Sequence, residues 1–311
     1  VYYVKLKKGV CEPLSWFSRV FRRRGTKYNA DFYFCLSSGF FMKKLFWALG
    51  LAASVAMVGC GKQDEPVAAG AAAAPSLPVL RVAIDPTYEP FTFKTPEGQP
   101  TGFDIDIANA ICAEIQHQCV FVEQIWDSMI PGLLAQQYDV IISSMSITEE
   151  RQRVIDFSDK YYSTPSRIVV REGTPFETLE SLRGLRLGVL RGSTQERYAL
   201  GELAPLGVNV IPYQAQDQVY LDIGSGRLDG TVADVVEVRA GFLGRPEGAG
   251  FVFVGPELND PQYFGVGMGV AMRKGRDDLR EQINQAIRAI RANGTYDAIA
   301  SKYFDFNIYG N

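Results

Sequence analysis

Ser143, Ser144 and Ser146 stand together just past an apolar run, and Arg151 follows within the same segment. A guanidinium grips a carboxylate through two parallel hydrogen bonds, and a serine hydroxyl can donate or accept. The run can therefore hold the charged ends of a small zwitterion. It also suits a plainer role, with Arg151 in a surface salt bridge to Glu149 or Asp156 and the serines capping a helix. A second polar loop reads Gly192-Ser193-Thr194-Gln195 between an apolar run and a helical one. Free backbone N–H groups at such a junction favour an anion. The loop lacks the lysine and spacing of a phosphate-binding P-loop, so no nucleotide is expected. Asp234 ends another apolar run, where its carboxylate could accept from an ammonium. Asp85 and Tyr88 follow the first strand-like run, and Trp126 opens a helical one. Aromatic faces can sandwich a cationic or flat side chain, although residues of this kind more often belong to a core.

Catalytic constellations are missing from the same loops. The one histidine, His117, lies at a helix end beside a cysteine, so Ser143 and Ser144 have no base, and no G-x-S-x-G elbow surrounds them. No His/Cys/carboxylate spacing suggests a metal, and no cofactor is expected.

The elements that must position these loops alternate. "VLRVAI" (79–84) is β-rich. In "GFDIDIANAICAEIQ", Phe103, Ile107, Ile111 and Ile115 recur at helical spacing behind Asp104, read as a capping residue. "VFVEQ" reads as a strand, "WDSMIPGLLAQQ" as a helix and "DVIIS" as a strand, which predicts a parallel sheet with crossover helices. A second series follows Gly184: strand "LRLGVL", a helix from about Gln195, strand "VNVIPY", a helix from about Ala215 and strand "LDGTVAD". Between the two series "SRIVVRE" reads as an extended crossing, and "FGVGMGVAMRK" (264–274) as a return. The helix "DDLREQINQAIRAIRANG" closes the chain with Leu279, Ile283, Ile287 and Ile290 on one face and Asn293-Gly294 as its stop. The expectation is an α/β protein of two lobes joined by two hinge crossings. Lobe one is 79–163 and 268–311, lobe two 169–262, and the hinge 164–168 and 263–267. In open α/β sheets a ligand sits beyond the carboxyl ends of the strands, here facing across one cleft.

The chain has 311 residues, 47% hydrophobic and 22% charged, the composition of a globular protein. Its charge is uneven. Residues 1–41 carry a net +6 and residues 61–311 a net −11, within −3 for the whole chain. An acidic body argues against nucleic acid as a partner. From Met42, two lysines, an apolar run and "MVGC" ending at Cys60 have the order of a secretory signal (42–60) and resemble a bacterial lipobox, with Met57 in the place usually held by leucine. Ordinary cleavage nearby is the alternative to lipidation at Cys60. Residues 1–41 precede a complete signal and read as an extension upstream of the true start at Met42, or as a basic tail. The Ala/Pro/Gly stretch within 61–78 reads as a tether. Cys11 and Cys35 fall in the extension, which leaves Cys112 and Cys119 in a compartment that permits disulfides. On one continuous helix their Cα atoms would lie about 10 Å apart, too far to bridge. Either the helix ends before Cys119 or both are free thiols.

Over roughly residues 79–311 the chain resembles the periplasmic polar-amino-acid-binding proteins of ABC importers, solute-binding family three, in its branch of lysine/arginine/ornithine- and histidine-binding proteins. The stretches that carry the resemblance are "GFDIDIANAIC", "IISSMSIT", "ERQRVIDFSDKYY", "GVLRGSTQE", "YFGVGMGVAMRK" and "NGTYDAIASKYFDFNIYG". The resemblance implies that Arg151 binds an α-carboxylate with backbone around Ser146 and Thr194, while Asp234 and Ser144 bind the α-ammonium. Tyr88 and Trp126 would flank the side chain, with Asp85 and Ser143 near its distal end and Leu190, Ser193 and Gln195 completing the second wall. It also implies a two-lobed α/β fold of periplasmic-binding-protein type II and a Cys112–Cys119 disulfide. Trp126 stands where relatives carry phenylalanine or leucine, and Pro86 beside Asp85 is a second departure; both bear on side-chain preference. The function implied is extracytoplasmic capture of arginine, lysine, ornithine or histidine by a periplasmic, lipid-anchored monomer that hands it to an inner-membrane ABC permease. A ligand-sensing protein and a cyclohexadienyl-dehydratase-like enzyme on the same fold are the alternatives.

Overall fold

A computed structural model describes residues 77–310. The extension (1–41), the signal segment (42–60) with Cys60, and all but the end of the tether (61–78) lie outside the described residues, as does Asn311.

The first lobe begins with β1 (Val79–Ile84), a small hairpin of β2 (Phe93–Lys94) and β3 (Pro100–Thr101), and helix α1 (Phe103–Glu114). Gly102 precedes α1 with φ +122°, and a Cβ there would meet the Phe91 carbonyl oxygen at 2.3 Å, so only glycine allows this approach. Asp104 does not cap the helix. Gly102 occupies the cap position without a side-chain bond, and the Asp104 carboxylate turns into the lobe, fully buried. The chain leaves α1 through Gln116, at φ +55°, and enters β4 (Gln118–Glu123). That turn brings Cys112 and Cys119 together as a disulfide with Cα atoms 5.9 Å apart.

Helix α2 (Met129–Leu134), β5 (Val140–Ile141), the single turn α3 (Glu149–Gln152) and β6 (Ile155–Tyr162) complete the outward path. The second lobe is built from β7 (Ser166–Arg171), β8 (Arg186–Leu190), α4 (Thr194–Tyr198), β9 (Asn209–Tyr213), α5 (Gln216–Gly224), β10 (Gly230–Asp234), α6 (Val235–Val238), β11 (Phe251–Leu258) and α7 (Pro261–Phe264). Returning, the chain forms β12 (Met268–Arg273), α8 (Asp277–Ala292) and α9 (Thr295–Ala300), the last of which has no counterpart in the sequence reading.

Each lobe holds one five-stranded sheet, ordered β4-β1-β5-β12-β6 in the first and β11-β7-β10-β8-β9 in the second. They are not purely parallel. Strand β12 runs antiparallel to β5 and β6, and β7 antiparallel to β10 and β11. The cause is topological. A strand arriving from the other lobe enters at the cleft and runs away from it, whereas the βα units end there. The stretch read as an extended crossing is, from Ser166 onward, a strand of the second sheet.

Both faces of both sheets are covered, as nearly continuous apolar strands require. On one face of the first sheet α1 packs against α8 over Val82, Ile107, Ile111, Ile283 and Ile287; on the other lie Met129, Leu133 and Tyr138. The α8 stripe of Leu279, Ile283, Ile287 and Ile290 is buried as its spacing predicts. Each such aliphatic side chain contributes roughly 1.5–3 kcal/mol by leaving water. The second sheet is sandwiched between a cluster of Leu182, Tyr198 and Leu203 and one of Val219, Ile223 and Phe242.

Candidate functional site

The strand ends determine what faces the cleft. Asp85 directly follows β1 and Ser143 follows β5, its parallel neighbour. In the second lobe Leu190 ends β8, and Ser193 and Thr194 form the turn into α4. One cavity is lined by Asp85, Tyr88, Trp126, Ser143, Ser144, Ser146, Arg151, Leu190, Ser193, Thr194, Gln195 and Met268. The structure thus gathers every binding residue marked in the sequence except Asp234, and adds Met268. No chemical signal marks this thioether in advance; it arrives because β12 starts with a bridge from Met268 to Ser146.

Arg151 sits in α3, whose start is capped by Thr148 accepting from the Arg151 backbone N–H. The residue is only 9% exposed, and its guanidinium donates from Nη1 to the Ser146 carbonyl at 3.0 Å and from Nη2 to the Gly192 carbonyl of the other lobe at 3.2 Å. The indole of Trp126 lies under it, 5.4 Å from the ring centre. No ion pair to a carboxylate involves Arg151 among the described residues; Asp156 is instead taken by Lys274 and Arg280. The surface salt-bridge reading therefore fails. Burial, with Arg197 nearby, lowers the Arg151 pKa to about 10. A buried cation satisfied only by carbonyl oxygens is a strong site for an anion.

The carboxylates show the converse. Asp85 is buried, takes the Thr87 hydroxyl at 2.7 Å and the Thr87 N–H at 3.2 Å, and is raised to about 6, chiefly by burial. The Ser143 hydroxyl accepts the Asp85 N–H at 3.0 Å, which ties the two strand ends together. Asp234 is 1% exposed and caps α6, its Oδ1 accepting from the Val236 and Glu237 N–H groups at 2.8 and 3.1 Å. Its Oδ2 takes the hydroxyl of Thr164, on the link from β6 to β7. Burial raises it to about 6. Oδ2 keeps a further lone pair, because a carboxylate oxygen accepts twice.

On the second wall, Ser193 caps α4 by accepting the Glu196 N–H at 3.0 Å, and the Gln195 amide donates to Ser166 at 2.9 Å. Two residues beside the cavity escaped sequence reading. Asp104 has the sequence position of a helix cap, and Tyr161 carries no sequence signal; both bond Ser144. His117 is elsewhere, its Nδ1 2.7 Å from the Ile115 carbonyl oxygen at the end of α1.

Comparison with known proteins adds a lineage. Residues 80–306 match the family described as bacterial extracellular solute-binding proteins, family 3. The chain is 46% identical to the L-arginine-binding protein of Pseudomonas aeruginosa over 271 residues, 87% of this chain and all of that one. It is also 46% identical to the histidine-binding periplasmic protein of Escherichia coli K12, over 74% of this chain and 89% of the relative. Among solved structures, an ancestral arginine-binding protein bound to arginine superposes with a TM-score of 0.67 at 36% identity, covering 73% of this chain and 98% of its own.

Proposed function

Because this chain belongs to the bacterial extracellular solute-binding proteins of family 3, we propose that it is the substrate-binding component of an ABC importer for basic and polar L-amino acids, acting in the periplasm. The observation that carries this reading is a set of buried charges, Arg151 and Asp85 in the cavity lining and Asp234 at the end of β10. Among the described residues, Arg151 is buried without a carboxylate, while Asp85 and Asp234 are buried without a cation. A zwitterion with one further positive charge complements that set: carboxylate to Arg151, α-ammonium to Asp234 and Ser144, side-chain cation to Asp85. Arginine, lysine, ornithine and histidine are the class, in keeping with the names of the relatives.

In this reading the lobes are 79–163 with 268–311 and 169–262, and 164–168 and 263–267 form the hinge. Contacts from lobe to lobe support a closed form: Arg197 to Glu150 at 2.6 Å, Arg245 to Glu89, and Arg151 to the Gly192 carbonyl. Closure traps the ligand, and the closed monomer docks on the permease. Lipidation of Cys60 would tether it to the membrane, which the mass of the mature amino-terminus would reveal. The reading assigns no catalysis, and turnover of a prephenate-like acid would overturn that part.

The deciding experiment is isothermal titration of the purified protein, refolded from denaturant to strip carried-over ligand, against arginine, lysine, ornithine, histidine, glutamine, glutamate and an opine. Tight binding of the cationic set is expected. Preference for glutamate or glutamine would keep the carrier and remove Asp85 as selector, and absence of binding would sink the carrier.

A further inference from the structure

Ser144 is the one cavity residue with a left-handed backbone, φ +55°, a conformation that residues other than glycine adopt only when neighbours hold them there. Three hydrogen bonds do so. The Ser144 N–H donates to the Tyr161 hydroxyl at 3.2 Å, that hydroxyl donates to Asp104 Oδ1 at 2.9 Å, and the Ser144 hydroxyl donates to Asp104 Oδ2 at 2.9 Å. The ring is closed. Asp104 is fully buried, and no ion pair involves it among the described residues. Thr92 adds a longer contact, 3.4 Å to Oδ2.

A serine hydroxyl has one proton, and Ser144 has spent it on a carboxylate that can only accept. Toward the cavity its oxygen therefore presents lone pairs alone. Ser143, next in the chain, is set the other way: its oxygen accepts the Asp85 N–H, and its proton remains available. We propose that Asp104 is a positioning residue that turns Ser144 into an obligate acceptor, so that this point of the cavity selects an ammonium and refuses an oxyanion or hydroxyl donor-seeking group. The inference rests on the amino-acid-binding reading above and adds to it a residue that need not touch the ligand.

Asparagine at 104 is nearly isosteric but offers one acceptor oxygen where the ring needs two. Either Ser144 or Tyr161 then faces an amide donor, and the polarity of Ser144 is lost. The test compares L-arginine with 5-guanidinopentanoate, which keeps the carboxylate and guanidinium but lacks the α-ammonium. Asp104→Asn should weaken arginine about tenfold or more and leave the analogue within about twofold. Ser144→Ala should do the same, and adding Asp104→Asn to Ser144→Ala should cost little more. Equal loss for both ligands would mean a merely structural role. A full additional loss in the Ser144→Ala background would mean that Asp104 acts by its charge and not through Ser144. Either result overturns the proposal. Should Asp104→Asn not fold, an unchanged ratio of arginine to analogue in Ser144→Ala overturns it as well. Failure of the unaltered protein to bind any amino acid would instead strike the carrier reading, so the two failures are distinguishable.

Discussion

At the amino-terminal ends of the parallel strands, Arg81 in β1 grips Asp139, just before β5, with Nε–Oδ2 and Nη2–Oδ1 distances of 3.0 and 2.9 Å. The second lobe repeats the arrangement: Arg186, opening β8, grips Asp229, just before β10, at 3.0 and 2.8 Å. At the carboxyl ends of those same four strands stand Asp85, Ser143, Leu190 and Asp234, and among the described residues neither aspartate pairs with an arginine, while Arg191, just past β8, reaches Asp127 only at 4.0 Å. One end of each sheet neutralises its charges internally; the other keeps them apart and buried. Only the second arrangement leaves free energy to be recovered when a ligand supplies the missing charges.

The most severe way to break this contrast is to remove a charge at the cleft. Arg151→Ala should lose about 2–5 kcal/mol of amino-acid binding, because it strands a buried ligand carboxylate. Asp234→Ala should fall in the same range, but it also removes the cap of α6, worth about 1 kcal/mol of stability, so melting curves must accompany the titration. Retained affinity in folded variants would remove these two residues from the site.

Acid should act next. Burial raises Asp85, Asp104 and Asp234 to about 6 in the unliganded protein, above the usual aspartate value near 3.8. A raised pKa favours the folded state below the unfolded value and loses that contribution as pH rises through about 6. These three groups therefore stabilise the empty protein as pH falls from about 6 toward 4. A cationic ligand needs them ionised, so binding has the opposite dependence, weakening about tenfold per linked carboxylate between pH 7.5 and 5. Titration and melting measured over the same pH range should diverge. Parallel decline of both would show that the buried carboxylates are already compensated.

Asp85→Asn is milder, since it leaves the α-group partners in place. It should alter the ranking of cationic against neutral ligands more than it alters binding of the α-groups. An unchanged ranking by competition titration would count against Asp85 as selector.

How far the sequence could show this contrast depended on how local each signal is. The βα alternation and the α8 stripe are local periodicities, and both elements form where the spacing places them. The site was legible where a polar residue ends an apolar run, as at Asp85, Ser143 and Ser193. Legibility failed where partners are distant. Asp104 has the position of a helix cap, and only its bonds to Ser144 and Tyr161, 40 and 57 residues on, show that its side chain turns inward. Met268 and Thr164 reach the site because the chain crosses between lobes there, a fact of topology. The antiparallel entry of β7 and β12 is hidden for the same reason.

The smallest effect tests the other end of the sheets. Arg81 and Asp85 are four residues apart on an extended strand, about 13 Å at 3.3 Å per residue. That exceeds the screening length of about 8 Å at 0.15 M salt. Arg81→Met, like Arg186→Met, should therefore leave arginine affinity within about twofold at physiological salt while lowering the melting temperature slightly, since both pairs are partly exposed. At 0.01 M salt the screening length grows to about 30 Å. Asp139, left with only the longer Arg273 contact at 3.7 Å, should then be felt at the cavity, and a cationic ligand should bind Arg81→Met slightly tighter than the unaltered protein. A loss comparable to that of Arg151→Ala at physiological salt would mean that the two ends of the sheet are coupled through the strands, and the separation between structural and ligand-directed charge would not hold.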